Sequence, residues 1–182
     1  RFELPGFVLE KRIYLPYRQN TVHVQYRVVE GEGSLRLKLL PSVHFRRHEA
    51  PVNEAHDAPY SISAENDRYQ VRSSTPELPP LRMFIDGVST AFTFQQKNLE
   101  LYYRVEDSRG YEPTGTLWSP GYFRADISAD APVTLVASTE SWETITAMSP
   151  AEAFAAEQER RDRLLAAARI SDRDPITSAL VL

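Results

Sequence analysis

Between Leu9 and Leu39 apolar and polar residues trade places with a period of two. In Thr21 to Glu30, Val22, Val24, Tyr26 and Val28 fall on one side and His23, Gln25 and Arg27 on the other. That is the pattern of a strand with one face in a core and one toward water. Leu35, Leu37 and Leu39 repeat it, with Arg36 and Lys38 between them. Phe7 to Leu15 is apolar at Phe7, Leu9, Ile13 and Leu15, but Glu10-Lys11-Arg12 interrupts the alternation and predicts a bulge near Lys11. Pro16 to Asn20 reads as a loop, and Gly31-Glu32-Gly33 as the turn of a hairpin, which together predict an antiparallel meander. Pro41 marks an edge or bulge, beyond which Val43 to Arg47 is expected to continue the strand.

The same period returns after a polar, proline-bearing loop from Glu49 to Pro59. Tyr60 to Ile62 and Arg68 to Arg72 read as short strands around Glu65-Asn66-Asp67, and three prolines make Ser73 to Pro80 an extended connection. Leu81, Met83 and Ile85 open a second meander, with a turn at Asp86-Gly87 and a strand over Thr90 to Phe94. Gln96-Lys97-Asn98 predicts another turn, followed by a strand from Leu99 to Val105. Asp107 to Tyr122, rich in Gly, Pro and aromatics, reads as a long loop, and Phe123 to Ile127 and Val133 to Ser138 as the last strands.

At Ser149 the pattern changes. Ser149-Pro150-Ala151-Glu152 forms a capping box with Pro at the first helical position, predicting a helix to about Arg169. Glu157–Arg161 and Glu159–Arg163 are favourable pairs four residues apart. The apolar stripe is thin, with Phe154 at one end and Leu164, Leu165 and Ala168 at the other, which suits a surface or domain-bridging helix. The expected architecture is mainly β: a two-layer antiparallel β-sandwich over residues 1–146, then one C-terminal linker helix within 147–182. The start at Arg1 and the apolar run Ser178 to Leu182 predict a piece of a longer polypeptide, with 147–182 leading into a following domain.

Composition narrows the partners. With 182 residues and 20.7 kDa the chain is large enough for a full core without staples. There is no cysteine, which excludes disulfides, thiolate zinc sites and a Cys nucleophile. A net charge of −4 and a pI near 5.6 speak against nucleic acid or an anionic membrane as partner. No apolar run is long enough to span a bilayer and the opening residues are not a signal peptide, so a cytoplasmic location is expected.

Candidate chemistry is sparse. On a continuing strand His44 and His48 would stand roughly 13 Å apart at ~3.3 Å per residue, too far to share a metal. His23 falls on a polar strand face and His56 in a loop, so no metal site is expected. G-x-S-x-G, G-x-G-x-x-G and P-loop patterns are lacking, so neither a catalytic residue nor a cofactor site is expected. Trp118-Ser119-Pro120-Gly121 reads as a turn, and Glu140 and Glu143, which flank Trp142, as a solvated stretch. What remains is Arg46-Arg47-His48, suited to a sugar hydroxyl, an anion or a carboxylate of a neighbouring domain, and the rings of Tyr111, Trp118, Tyr122 and Phe123. Tyr111, Trp118, Tyr122, Arg46 and His48 are therefore candidates for contact with carbohydrate or with another domain, while core filling should claim at least two of the four rings.

Leu9-Glu-Lys-Arg-Ile-Tyr14, Asn20-Thr-Val22 with Tyr26, and Leu39-Leu-Pro-Ser-Val-His-Phe-Arg46 resemble the N-terminal domain of bacterial and archaeal glycogen debranching enzymes, the amylo-α-1,6-glucosidase type. Arg109-Gly-Tyr111 and Trp118-Ser-Pro-Gly-Tyr-Phe123 are similar to a later segment of that domain. Arg163-Leu-Leu165 through Leu180-Val-Leu182 looks like the entry into its catalytic part. One departure is Arg47, where the resemblance leads one to expect an acidic residue. The resemblance implies a β-sandwich packed on a downstream (α/α)6 barrel that hydrolyses α-1,6 branch points of glycogen or limit dextrin. Its general acid and base would lie beyond Leu182, and its partners would be that barrel and glucan. Two other readings stand beside it: an autonomous carbohydrate-binding sandwich using Trp118 and Tyr122, and a protein-interaction sandwich unrelated to sugars.

Overall fold

The computed structural model of the protein describes residues 1–54, 59–75, 77–168 and 178–179. The period-two runs become strands of two antiparallel sheets. In chain order they are β1 (Phe2–Leu4), β2 (Phe7–Tyr14), β3 (Thr21–Glu30), β4 (Leu35–Leu39), β5 (Ser61–Glu65), β6 (Arg68–Arg72), β7 (Leu81–Asp86), β8 (Ala91–Tyr102), β9 (Thr114–Ile127) and β10 (Val133–Ser138). A short helix α1 (Arg104–Ser108) lies between β8 and β9, and α2 (Trp142–Ile145) and α3 (Pro150–Ala167) follow β10. The larger sheet has the order β1-β2-β3-β10-β7-β6-β5 and the smaller β4-β9-β8. This is the expected mainly-β, two-layer sandwich with a C-terminal helix.

The inner faces meet in two adjoining clusters. Leu9, Val28 and Val133 of the large sheet close on Ala125 and Ile127 of β9. Tyr69, Val71 and Met83 close on Leu39 and Phe123, with the Phe92 ring tilted against Tyr69 at 4.6 Å and edge-on to Phe123 at 4.7 Å. Burial of such rings dominates the stabilisation, at roughly 1.5–3 kcal/mol for each large apolar side chain removed from water.

Several connections differ from expectation. Gly31–Gly33 does not close a hairpin, because β3 pairs with β2 and β10 while β4 pairs with β9 in the other sheet. Asp86-Gly87 likewise carries the chain from β7 across to β8 rather than back beside it. The positive φ of Gly31, Gly33 and Gly87 reverses the chain in either case, and the sequence does not say into which layer. At Asn66 and Asp67, both with positive φ, the turn does make a true two-residue hairpin, β5–β6.

Other boundaries move for local reasons. The irregularity in β2 lies between Val8 and Leu9, not near Lys11, which pairs regularly with Tyr26. Glu10 and Arg12 occupy the outer face, whereas Lys11 and Ile13 point to the inner side where the three-stranded sheet does not cover them and both stay exposed. Val43 to Arg47 is not a strand: only an isolated bridge joins Val43 to Trp118. Gln96-Lys97-Asn98 is no turn but part of the twelve-residue β8, whose bulge between Phe94 and Lys97 absorbs it. Val105 belongs to α1, not to a strand, and the long loop shrinks because β9 starts at Thr114 and includes Trp118 and Tyr122. β1 and α2 are additional elements.

His23 contradicts the simple inside–outside reading most sharply. It is 3% exposed, with Tyr14 of β2 laid over its ring and the start of α3 packed on Tyr14 in turn. The Tyr14 ring stacks on the His23 imidazole at 4.6 Å, Phe154 meets Tyr14 edge-on at 5.2 Å, and the Tyr14 hydroxyl donates to the Pro150 carbonyl at 2.6 Å. The capping box forms as expected, with Ser149 accepting from the Glu152 N–H and Glu152 from the Ser149 N–H. Only Pro150 and Ala153 of α3 are fully buried, so it is a surface helix anchored by its first turns. Glu157 pairs with Arg160 at 2.6 Å rather than with Arg161, while Glu159–Arg163 forms at 4.0 Å. Arg169, His56 and Leu180 to Leu182 lie outside the described residues.

Candidate functional site

Two of the sequence-derived candidate groups converge. The segment after β4 and the turn after α1 face each other across a cleft of about 530 Å³, lined by Arg46, His48, Glu49, Pro51, Glu106, Arg109, Tyr111 and Glu112 among others. Arg46, His48 and Tyr111 are thus brought together from opposite sides of a loop-built mouth.

Each wall is held by identifiable contacts. Val43 and Trp118 exchange backbone hydrogen bonds at 2.8 and 2.9 Å, which pins the segment leading to Arg46 onto β9. The Phe45 N–H donates to the Tyr60 hydroxyl at 2.8 Å, and the Tyr60 ring stands edge-on to Phe45 and to Trp118 at 5.2 and 5.4 Å. Burial raises the Tyr60 phenol above its usual pKa. The Arg46 guanidinium donates to the Ala50 carbonyl, closing the turn that carries His48. Val52 is buried against Gly115 of β9, where a Cβ would collide with the Val52 carbonyl oxygen, so close approach of the two backbones requires glycine.

The opposite wall is α1 and its exit. The Asp107 carboxylate raises the pKa of the Tyr102 phenol, and the Tyr103 N–H donates to the Pro113 carbonyl at 2.8 Å, holding the exit of α1 to the end of β8. The N–H groups of Arg109 and Tyr111 both donate to the Glu106 carbonyl, at 3.1 and 3.0 Å, so the helix ends in a tight turn that presents Tyr111. Tyr111 is 66% exposed and makes no ring contact among the described residues. Arg109 stands 3.9 Å from Glu106, and Glu112 accepts the Thr114 N–H at 3.1 Å. Across the mouth His48 lies 3.1 Å from Glu49.

Trp118 and Tyr122 are not part of this cleft. Trp118 packs with the core around Phe123, beneath Tyr60, while Tyr122 lies on the opposite, outer face of β9 with the Lys38 ammonium 3.8 Å from its ring centre. The two rings form no common platform. Trp118 and the fully buried Phe123 are the core-filling members of the aromatic group. Glu49, Glu106, Arg109 and Glu112 carried no signal as site residues, being charges in polar stretches, and only the folded chain assembles them. Arg47, the departure noted above, makes an exposed ion pair with Glu77 at 2.9 Å. Among the described residues no three His, Asp or Glu side chains gather as a metal-binding group.

A family model described as the glycogen debranching enzyme N terminal matches residues 1–134. The chain belongs to this family. In this debranching-enzyme N-terminal domain the match covers both walls of the cleft and all strands up to the first residues of β10, and leaves α2 and α3 beyond it. No curated protein and no solved structure matches the chain. No helix among the described residues is long and apolar enough to cross a membrane.

Proposed function

We propose that this chain is the non-catalytic N-terminal sandwich of a cytoplasmic glycogen-debranching-type glucosidase, packing on and supporting a downstream (α/α)6 barrel that hydrolyses α-1,6 branch points. The family match over residues 1–134 carries this reading. Three contacts of α3 support the structural role: Tyr14 to Pro150, Tyr14 to Phe154, and the Tyr17 N–H to Glu157 at 3.3 Å. They fasten the start of the helix along β2, so a domain joined after it is carried on a braced rather than a free linker. The chain expressed alone should fold cooperatively and release no glucose from limit dextrin, and added to the separately produced catalytic part it should raise that part's melting temperature. Glucose release by this chain would overturn the non-catalytic assignment, and an unshifted melting temperature would overturn the packing role.

A further inference from the structure

We propose that the cleft between residues 46–52 and the exit of α1 binds a short run of α-glucose units, with Tyr111 as the stacking platform and Arg46, Arg109, Glu106 and Glu112 gripping hydroxyls. The ligand's identity as α-glucan rests on the debranching reading above, while its character as a neutral polyol comes from the cleft itself.

Two arginines, Arg46 and Arg109, face three glutamates, Glu49, Glu106 and Glu112, around one opening. The signs are interleaved and nearly balanced, which gives neither an anion nor a cation a dominant field. Planar guanidinium and carboxylate groups beside one another instead match vicinal hydroxyls, which donate to one and accept from the other. The exposed ring of Tyr111 supplies what these groups lack, an apolar surface for the C–H face of a sugar. A volume of about 530 Å³ lies within the roughly 300–1,000 Å³ usual for small-molecule sites. The walls are fixed by the Val43–Trp118 bridge, the Gly115–Val52 approach and the hydrogen bond from the Tyr103 N–H to the Pro113 carbonyl, so little ordering remains to oppose binding.

The experiment is calorimetric titration of the chain with maltoheptaose, and with cellohexaose as a neutral sugar of different linkage. Maltoheptaose should bind in the millimolar range or tighter. Tyr111→Ala should weaken it about tenfold while Tyr111→Phe retains it, since the ring rather than the hydroxyl makes the platform. Tyr111 is exposed, so both variants should melt with the parent. Binding of neither sugar, or binding indifferent to Tyr111→Ala, would overturn the proposed cleft and leave the debranching reading intact. Tyr111-dependent binding that prefers cellohexaose would overturn the α-glucan assignment and count against the debranching reading as well.

Discussion

His23 shows how a residue's neighbours, not its place in an alternation, decide its protonation. The imidazole is buried beneath Tyr14, on which the start of α3 packs, its Nδ1 has no hydrogen-bond partner, and burial pushes its pKa down to about 4. In the unfolded chain the group titrates near its ordinary value of about 6.5. Its contribution is therefore fully present above pH 6.5. It is lost as pH falls toward 4, because over that interval the unfolded chain takes up a proton that the folded one refuses. The loss should reach the order of 2–3 kcal/mol. Carboxylates held low in the fold, such as Glu10 beside Arg27 and Asp126 beside Arg36, also weaken the protein in acid, at the lower end of that range. Comparison with His23→Phe, which keeps a ring against Tyr14, separates the two. Urea midpoints of the parent should fall more steeply between pH 7 and 4 than those of the variant, and parallel curves would exclude His23 as the cause.

At the scale of elements, α3 depends on its first turn. Ser149→Ala removes the acceptor for the Glu152 N–H and leaves Glu152 without its hydroxyl partner, so about 1 kcal/mol of stability should go. Faster amide exchange in α3 than in β10 would localise the effect, and uniform exchange across both would argue against it. This helix was legible because caps and helix formers are local signals. Strand existence was legible for the same reason: β3, β4, β6, β7 and β10 follow from alternation alone. Their connections were not, since Gly31–Gly33 and Asp86-Gly87 look alike whether the next strand returns or crosses. Gln96-Lys97-Asn98 hides the continuity of β8, because these turn formers fit an exposed strand only once a bulge takes up the misfit. β9 was hidden by Pro120 and Gly121, which the same irregularity accommodates; at Gly121 a Cβ would collide with the Thr93 carbonyl oxygen. Of the cleft, Arg46, His48 and Tyr111 stood out by residue type. Glu106, Arg109 and Glu112 did not, because a five-residue helix at the end of a strand leaves no periodic trace.

For the whole molecule, the two sheets are woven by one thread. The chain passes between layers after β3, after β4, after β7 and after β9. In the larger sheet β10 stands between β3 and β7, pairing Val136 with His23 on one side and with Phe84 on the other. The strand at the middle of the wide layer is thus the last of the described strands to be synthesised. Until residues 133–138 leave the ribosome, β1-β2-β3 and β5-β6-β7 are two separate ribbons with unpaired edges facing each other. Distant pairings of this kind make folding slow and leave half-built chains open to wrong partners. A fragment ending at Asp130 should accordingly lack a cooperative melt and bind a hydrophobic dye, and a sharp transition in that fragment would refute this order of events. The vulnerable moment for this domain comes just before residues 133–138 emerge, when nine strands wait for a tenth among the described residues.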